Sequence, residues 1–187
     1  FHVDACIGGF FLGMMERAGY DVPPFDWRVP GVTSISCDLH KFGYAAKGAS
    51  VIMYRSKALR RYQLFANVTS YTLVNATAQS TRSAGPIAGA WAALNTLGMA
   101  GYEAIINAVM DATEQVKAAI DDIDGLRLLG EPHMCLIAFT SDDFNPYLLS
   151  DAMRARGWYI QPQFSTETTP RSLHITMQYT ATDKIDA

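Results

Sequence analysis

The sequence is short of cysteine, of charge and of unbroken apolar runs, and each shortage removes a class of protein. Only three cysteines occur in 187 residues, Cys6, Cys37 and Cys135, an odd number with no CxxC spacing. That argues against a disulfide framework or a cysteine zinc site and suits a reducing compartment. No apolar stretch reaches the roughly 18 residues that mark a membrane span, and the opening residues do not read as a secretory leader. Charged residues are 18% of the chain, with a net charge of -3, below the soluble average of roughly 25%. So lightly charged a surface is expected to be partly buried against something else. The basic cluster Arg55, Lys57, Arg60 and Arg61 is short and reads as a solvated face, so nucleic acid is not an expected partner. Internal repeats and low-complexity tracts are not evident.

What is present is ample hydrophobic material, 49% of residues, enough for one large domain or two small ones. The ends read as cut. Phe1 opens directly on a strand-like run and residues 182–186 read as a capped helix start, so the sequence is expected to be an internal piece of a longer protein. Residues 1–5 and 51–54 read as short strands. Residues 32–37 alternate β-branched and small residues, as a buried strand does. A Gly-containing loop over 6–12 and a brief helix over 13–18 follow the first strand, and another helix is predicted over 57–65. Pro23, Pro24 and Pro30 mark a loop, and the polar stretch 67–83 reads as a functional loop. Pro86 opens a long Ala-rich helix that Gly98 and Gly101 interrupt. A second helix over 102–123 carries Ile105, Val109, Val116 and Ile120 at helical spacing. Beyond Gly125, strands over 126–129, 135–140, 159–163 and 173–178 with a helix over 146–156 predict a small α+β unit. The expected division is 1–101 and 102–187.

The chemistry centres on Lys41, in the run Asp38-Leu39-His40-Lys41-Phe42-Gly43, 37 positions after Asp4 in His2-Val3-Asp4-Ala5. A strand-end lysine can form an imine with an aldehyde, and a strand-end acid can hold a protonated ring nitrogen. Together they suggest pyridoxal 5'-phosphate (PLP), which requires both. Gly43 and Gly48 let backbone approach a bulky ligand closely. Burial near another cation would make the lysine more nucleophilic, and Lys47 is placed to supply that cation or to bind an anionic substrate. His40 is a candidate for the cofactor phosphate or the substrate. Arg82, just before the helix that Pro86 opens, adds a bidentate fork to a helix N-terminus, which attracts anions. His133 and His174 read as structural. A second chemistry, a non-haem iron site of His2, Asp4 and His174, imitates a two-His-one-carboxylate triad. It conflicts with the two long helices over 86–123.

The stretch from Val32 through Asp38-Leu39-His40-Lys41-Phe42-Gly43-Tyr44-Ala45-Ala46-Lys47-Gly48 to Arg55 resembles the lysine region of the sphingosine-1-phosphate lyases, in the group II decarboxylase branch of fold-type I PLP enzymes. His2-Val3-Asp4-Ala5-Cys6-Ile7-Gly8-Gly9 resembles that family's acid-bearing strand, and Ser80-Thr81-Arg82-Ser83-Ala84-Gly85-Pro86 its Ser/Arg/Gly loop. The likeness runs in order through the first hundred residues. Phe42 stands where the family often has Tyr, and Ala46 where many members have Pro.

The resemblance implies an α/β fold: the C-terminal part of an aspartate-aminotransferase-like, fold-type I large domain, then a small, incomplete α+β C-terminal domain. It also implies a PLP-dependent lyase that cleaves a phosphorylated sphingoid base, a lipid, to a long-chain aldehyde and phosphoethanolamine by retro-aldol chemistry. Lys41 and Asp4 would be catalytic and hold the cofactor. His40 and Ser80 would take the cofactor phosphate, and Lys47 and Arg82 the substrate phosphate. A homodimer sharing its active site and a cytosolic-facing location are implied, with any membrane anchor upstream. A PLP-dependent amino-acid decarboxylase is the near alternative and an inactive scaffold the distant one. The 187-residue piece alone is expected to be inactive.

Overall fold

Ile35 and Cys37, alternating with Ser34, Ser36 and Asp38, become the middle strand of a three-stranded sheet in a computed structural model that describes residues 1–66, 68, 74–78 and 81–185. β1 (His2–Asp4) leads into α1 (Gly8–Arg17), β2 (Ser34–Asp38) and β3 (Ser50–Tyr54). β1 runs parallel to β2 with Asp4 opposite Ser36. β3 runs antiparallel on the other side with Ser50 opposite Asp38. Parallel strands cannot be joined by a hairpin, and α1 with the loop after it makes the crossover. Val32 and Ile35 are buried with Ala5, against Val3, Phe25, Trp27 and Val29.

α1 begins at Gly8, so the loop expected over 6–12 is helical for most of its length. Packing decides this. Phe11, Met14 and Met15 bury one face, and a Cβ at Gly9 would lie 3.2 Å from Cys37 Cβ. Glycine lets the helix sit directly on β2, a signal that periodicity does not contain. The proline-marked loop is fastened by Arg55, whose Nε donates to Val32 O and whose Nη2 donates to Trp27 O and Val29 O at 3.0 Å each. Its guanidinium also stands 5.6 Å from the Trp27 ring centroid.

The helix predicted over 57–65 is shorter. Ser56 caps α2 (Lys57–Arg60), a 3₁₀ turn spans Arg61–Gln63, and neither buries a side chain. With no apolar face to bury, nothing prolongs them. β4 (Phe65–Ala66), at the end of the predicted helix, pairs antiparallel with β5 (Val74–Asn75), which lies in the stretch predicted as loop. α3 (Gly85–Asp122) spans the two predicted helices, which part at Gly98 as expected. Its kink is at Gly98, whose φ of 57 is open to glycine.

The chain divides within α3 into two compact units, Phe1–Glu103 and Ala104–Ala187. The second contains β6 (Arg127–Leu128), β7 (Leu136–Thr140), α4 (Pro146–Ala155), β8 (Gln161–Gln163), β9 (Ser172–Thr176) and a 3₁₀ turn at Tyr179–Lys184. Its sheet has the order β6-β7-β9-β8, antiparallel throughout. Ile120, Ile137, Phe139, Ile160 and Leu173 form its core. The Asn145 side chain accepts from Tyr147 N–H at 3.2 Å, and Pro146 opens α4 where its missing N–H is not needed. Among the described residues no helix is long and apolar enough to cross a membrane.

Candidate active site

Because β1 and β2 are parallel, their carboxyl ends lie side by side, the edge of a parallel sheet where ligands gather. Asp4 closes β1 and Asp38 closes β2. Asp4 Oδ1 accepts from the Cys6 N–H at 3.2 Å and from the hydroxyl of Ser36, its register partner, at 3.1 Å. Those two donors, the backbone N–H first, hold its carboxyl below the usual carboxylate range. An exposed acid that stays ionised and fixed in direction suits pairing with a protonated ring nitrogen. His2, two residues earlier on the same face, bonds through Nδ1 to Ser34 Oγ at 2.8 Å.

The turn after β2 is pinned at many points. Lys41 N–H bonds to Asp38 O at 3.2 Å, Tyr44 N–H to Lys41 O at 3.0 Å and Ala45 N–H to Leu39 O at 3.0 Å, while His40 N–H reaches Ala49 O at 3.1 Å. Gly43 is required there, since a Cβ would stand 2.5 Å from Leu39 O. Tyr44 takes the left-handed conformation, φ 55, uncommon for a bulky residue and sustained only by surrounding contacts. Those contacts are evident: Tyr102 donates its buried hydroxyl to Gly43 O at 2.7 Å, and the buried Phe42 ring meets Phe11 edge-on at 4.7 Å.

Lys41 Nζ lies 3.0 Å from Asp38 Oδ2. The Cys6 side chain, then Asp38, raise the Lys41 amine above the ordinary lysine value, against a smaller opposing effect of burial. A thiol is a weak acceptor, so the carboxylate is the stronger physical partner. Burial alone would push Asp38 up, but the Ser50 hydroxyl on Oδ1, Lys41 and His40 outweigh it and hold the carboxyl below its ordinary value. His40 Nδ1 is 2.8 Å from Ala49 O. A carbonyl only accepts, so Nδ1 carries the proton, and in the neutral ring Nε2 accepts from Lys47 Nζ at 3.3 Å. That same Nε2 stands 3.7 Å from Asp38 Oδ2. Asp38 N–H bonds to Cys6 O at 3.1 Å. Asp4, Lys41, His40 and Lys47 are thus joined in one polar cluster through Cys6 and Asp38.

Arg82 is placed elsewhere in the same unit. It lines a cleft of about 520 Å³ with Leu39, Gly48, Ser50, Thr81 and Pro86, and neither Lys41 nor Asp4 borders that cleft. Ser80 lies outside the described residues. His174 sits on β9 with Nε2 3.4 Å from Thr176 Oγ1. Among the described residues no three His, Cys, Asp or Glu side chains gather closely enough to hold a metal. The sequence analysis missed Cys6, Ser36, Asp38 and Ser50. The i, i+3 spacing of Asp38 and Lys41 was visible in the sequence. The other three depend on register and on a turn between distant segments.

The family described as "Pyridoxal-dependent decarboxylase conserved domain" matches residues 1–142. The chain is 41% identical over 184 residues to the sphingosine-1-phosphate lyase of Oryza sativa subsp. japonica, covering 96% of this chain and 33% of that protein. It is 42% identical over 185 residues to sphingosine-1-phosphate lyase 1 of Rattus norvegicus, covering 96% and 32%. The chain therefore spans about a third of the length of these relatives. Among solved structures, the sphingosine-1-phosphate lyase of Burkholderia pseudomallei superposes with a TM-score of 0.89 at 42% identity, over 98% of this chain and 41% of that one. The glutamate decarboxylase of Lactobacillus brevis, at 23% identity and a TM-score of 0.78 over 99% of this chain and 44% of that one, shares the fold.

Proposed function

We propose, from the premise that this chain belongs to the pyridoxal-dependent decarboxylase family, that it is part of a PLP-dependent carbon–carbon lyase. The substrate is a phosphorylated sphingoid base, cleaved to a long-chain aldehyde and phosphoethanolamine. The reading is supported by the placement of Asp4 at the end of β1 and of Lys41 three residues past the end of the neighbouring parallel strand β2, paired with Asp38, in a chain similar over 96% of its length to sphingosine-1-phosphate lyases. The donor set fits the cofactor: an amine capable of bonding an aldehyde, and a carboxylate held ionised by Cys6 N–H and the Ser36 hydroxyl. PLP bound there supplies the electron sink for the charge left on the substrate carbon when the bond breaks. Asp4 would pair with the ring nitrogen and favour its protonated form. Lys41 would be the residue that bonds the cofactor's aldehyde. His40 and Ser80 are assigned to the cofactor phosphate. Lys47 and Arg82 are assigned to the substrate phosphate, for which Lys47 must leave His40 Nε2.

In this reading residues 1–101 are the end of the PLP-binding large domain and residues 102–187 a small C-terminal domain. The protein works as a homodimer with a shared site, facing the cytosol. The test is to supply PLP to the full-length protein and follow the visible absorbance of the lysine-bound cofactor, then assay a phosphorylated sphingoid base. Long-chain aldehyde release is expected, and Lys41→Ala should abolish the absorbance. A band that survives Lys41→Ala overturns the assignment. Carbon dioxide released from an amino acid, with no aldehyde, would instead identify a decarboxylase.

A further inference from the structure

We propose that Asp38 is the positioning residue of Lys41: its carboxylate restrains the amine beside the ends of β1 and β2 and lets it go to an arriving aldehyde. This rests on the reading of Lys41 as the cofactor lysine.

Asp38 is itself fixed from three sides. Oδ2 takes Lys41 Nζ at 3.0 Å, Oδ1 accepts the Ser50 hydroxyl from β3, and its N–H bonds to Cys6 O at 3.1 Å. The titratable groups around the pair come from each neighbouring segment: Asp4 from β1, Cys6 from the turn before α1, and His40 and Lys47 from the segment after β2. Asp4 is occupied by Cys6 N–H and Ser36. Lys47 is drawn to His40 Nε2. Among the described residues, Asp38 is therefore the carboxylate left to Lys41. It lies on the lysine's own strand end, so the restraint is short and stiff, while the lysine retains 34% side-chain exposure and a way out.

An ammonium has no lone pair for a carbonyl carbon. When an amine captures an aldehyde, Nζ must first give up its extra proton. The proton goes to solvent, the C–N bond then forms and the carbonyl oxygen leaves as water, and the ion pair with Asp38 at 3.0 Å holds the amine in its protonated form until then. The raised affinity of Lys41 for its proton agrees with a resting amine parked on Asp38. Asp38 thus governs both where the amine points and what fraction of it is free.

The test is reductive methylation of the full-length, cofactor-free protein with formaldehyde and cyanoborohydride across alkaline pH. Modification of Lys41 is read by peptide mass spectrometry against the exposed Lys57. The wild-type Lys41 profile should have its midpoint above the ordinary lysine value of 10.5. Asp38→Asn should lower that midpoint and speed Lys41 labelling near pH 8 by about three- to tenfold relative to Lys57, as expected for loss of a nearby opposite charge. Asp38→Glu should restore the wild-type profile. A merely structural role would shift both lysines or neither. A wild-type midpoint at or below 10.5, which needs no variant to fold, overturns the proposal, as does an Asp38→Asn profile superimposable on wild type. Survival of the visible cofactor band in Lys41→Ala would instead sink the cofactor-lysine reading, so the two failures are told apart.

Discussion

Gly43→Ala isolates the contribution of the turn that carries Lys41. The added Cβ would lie 2.5 Å from Leu39 O and 2.9 Å from Leu39 Cα. Carbon and oxygen do not approach within 3.0 Å here without displacement, so about half an ångström of backbone movement is required. The obstructing atoms are main chain, and no side-chain rotation relieves them. Leu39 is also held through Ala45 N–H on its carbonyl, so the displacement spreads into the residues that aim Lys41. Overpacking of this kind costs about 1–3 kcal/mol, or roughly a 5- to 150-fold shift in the folding constant. Urea unfolding of the cofactor-free protein measures it, and PLP capture should slow in parallel. Gly13→Ala is the control. It lies within α1, exposed, with no atom within 4 Å of its Cβ position. It should therefore gain up to about 1 kcal/mol from helix propensity. If Gly43→Ala matches wild type in stability and in cofactor capture, the close-approach reasoning is refuted.

Tyr102→Phe removes the buried 2.7 Å bond to Gly43 O; a lower urea midpoint, by about 1–2 kcal/mol of stability, is expected with an unchanged m-value. Leu173→Ala empties a fully buried position in the core of the second unit and should cost about 2–5 kcal/mol. Hydrogen exchange should show the loss on β7 and β9 first, and an unaffected β7 would contradict the packing described. The folded Asp4 carboxyl is lowered, so its stabilising contribution is present above the ordinary value of 3.8 and is lost as pH falls through the lowered one. An NMR titration should place its midpoint below 3.8, and Ser36→Ala should raise it.

The strand at residues 34–38, the opening of α3 beside Pro86 and the α+β texture past Gly125 were legible because each rests on local alternation or a local breaker. The placement of Asp4 at the end of one strand and of Lys41 just past another was legible for a similar reason, from the short apolar runs that precede them. The start of α1 was not, because its helix is fixed by burial of Phe11 and Met15 and by a glycine seat against Cys37, contacts made across 28 residues of sequence. The break in α3 was legible too: the sequence suggested two helices parted at Gly98, and the backbone there is non-helical, with φ 57 and ψ -173. The partners of the candidate site were the least visible. Ser36 reaches Asp4 and Ser50 reaches Asp38 only once strand register is set.

The pairing of His2 with Ser34, 32 positions apart in sequence, has a thermodynamic consequence. No short segment contains both Asp4 and Lys41, so a ligand that needs both finds its site only in chains that have completed the crossover. Such a ligand binds the native state and ignores the rest, and mass action then makes it a folding partner. At a free concentration 100 times its dissociation constant it would add about 2.7 kcal/mol to the stability of the unit. Supply of the cofactor would therefore set how much intact protein survives proteolysis, as well as how much of it is active.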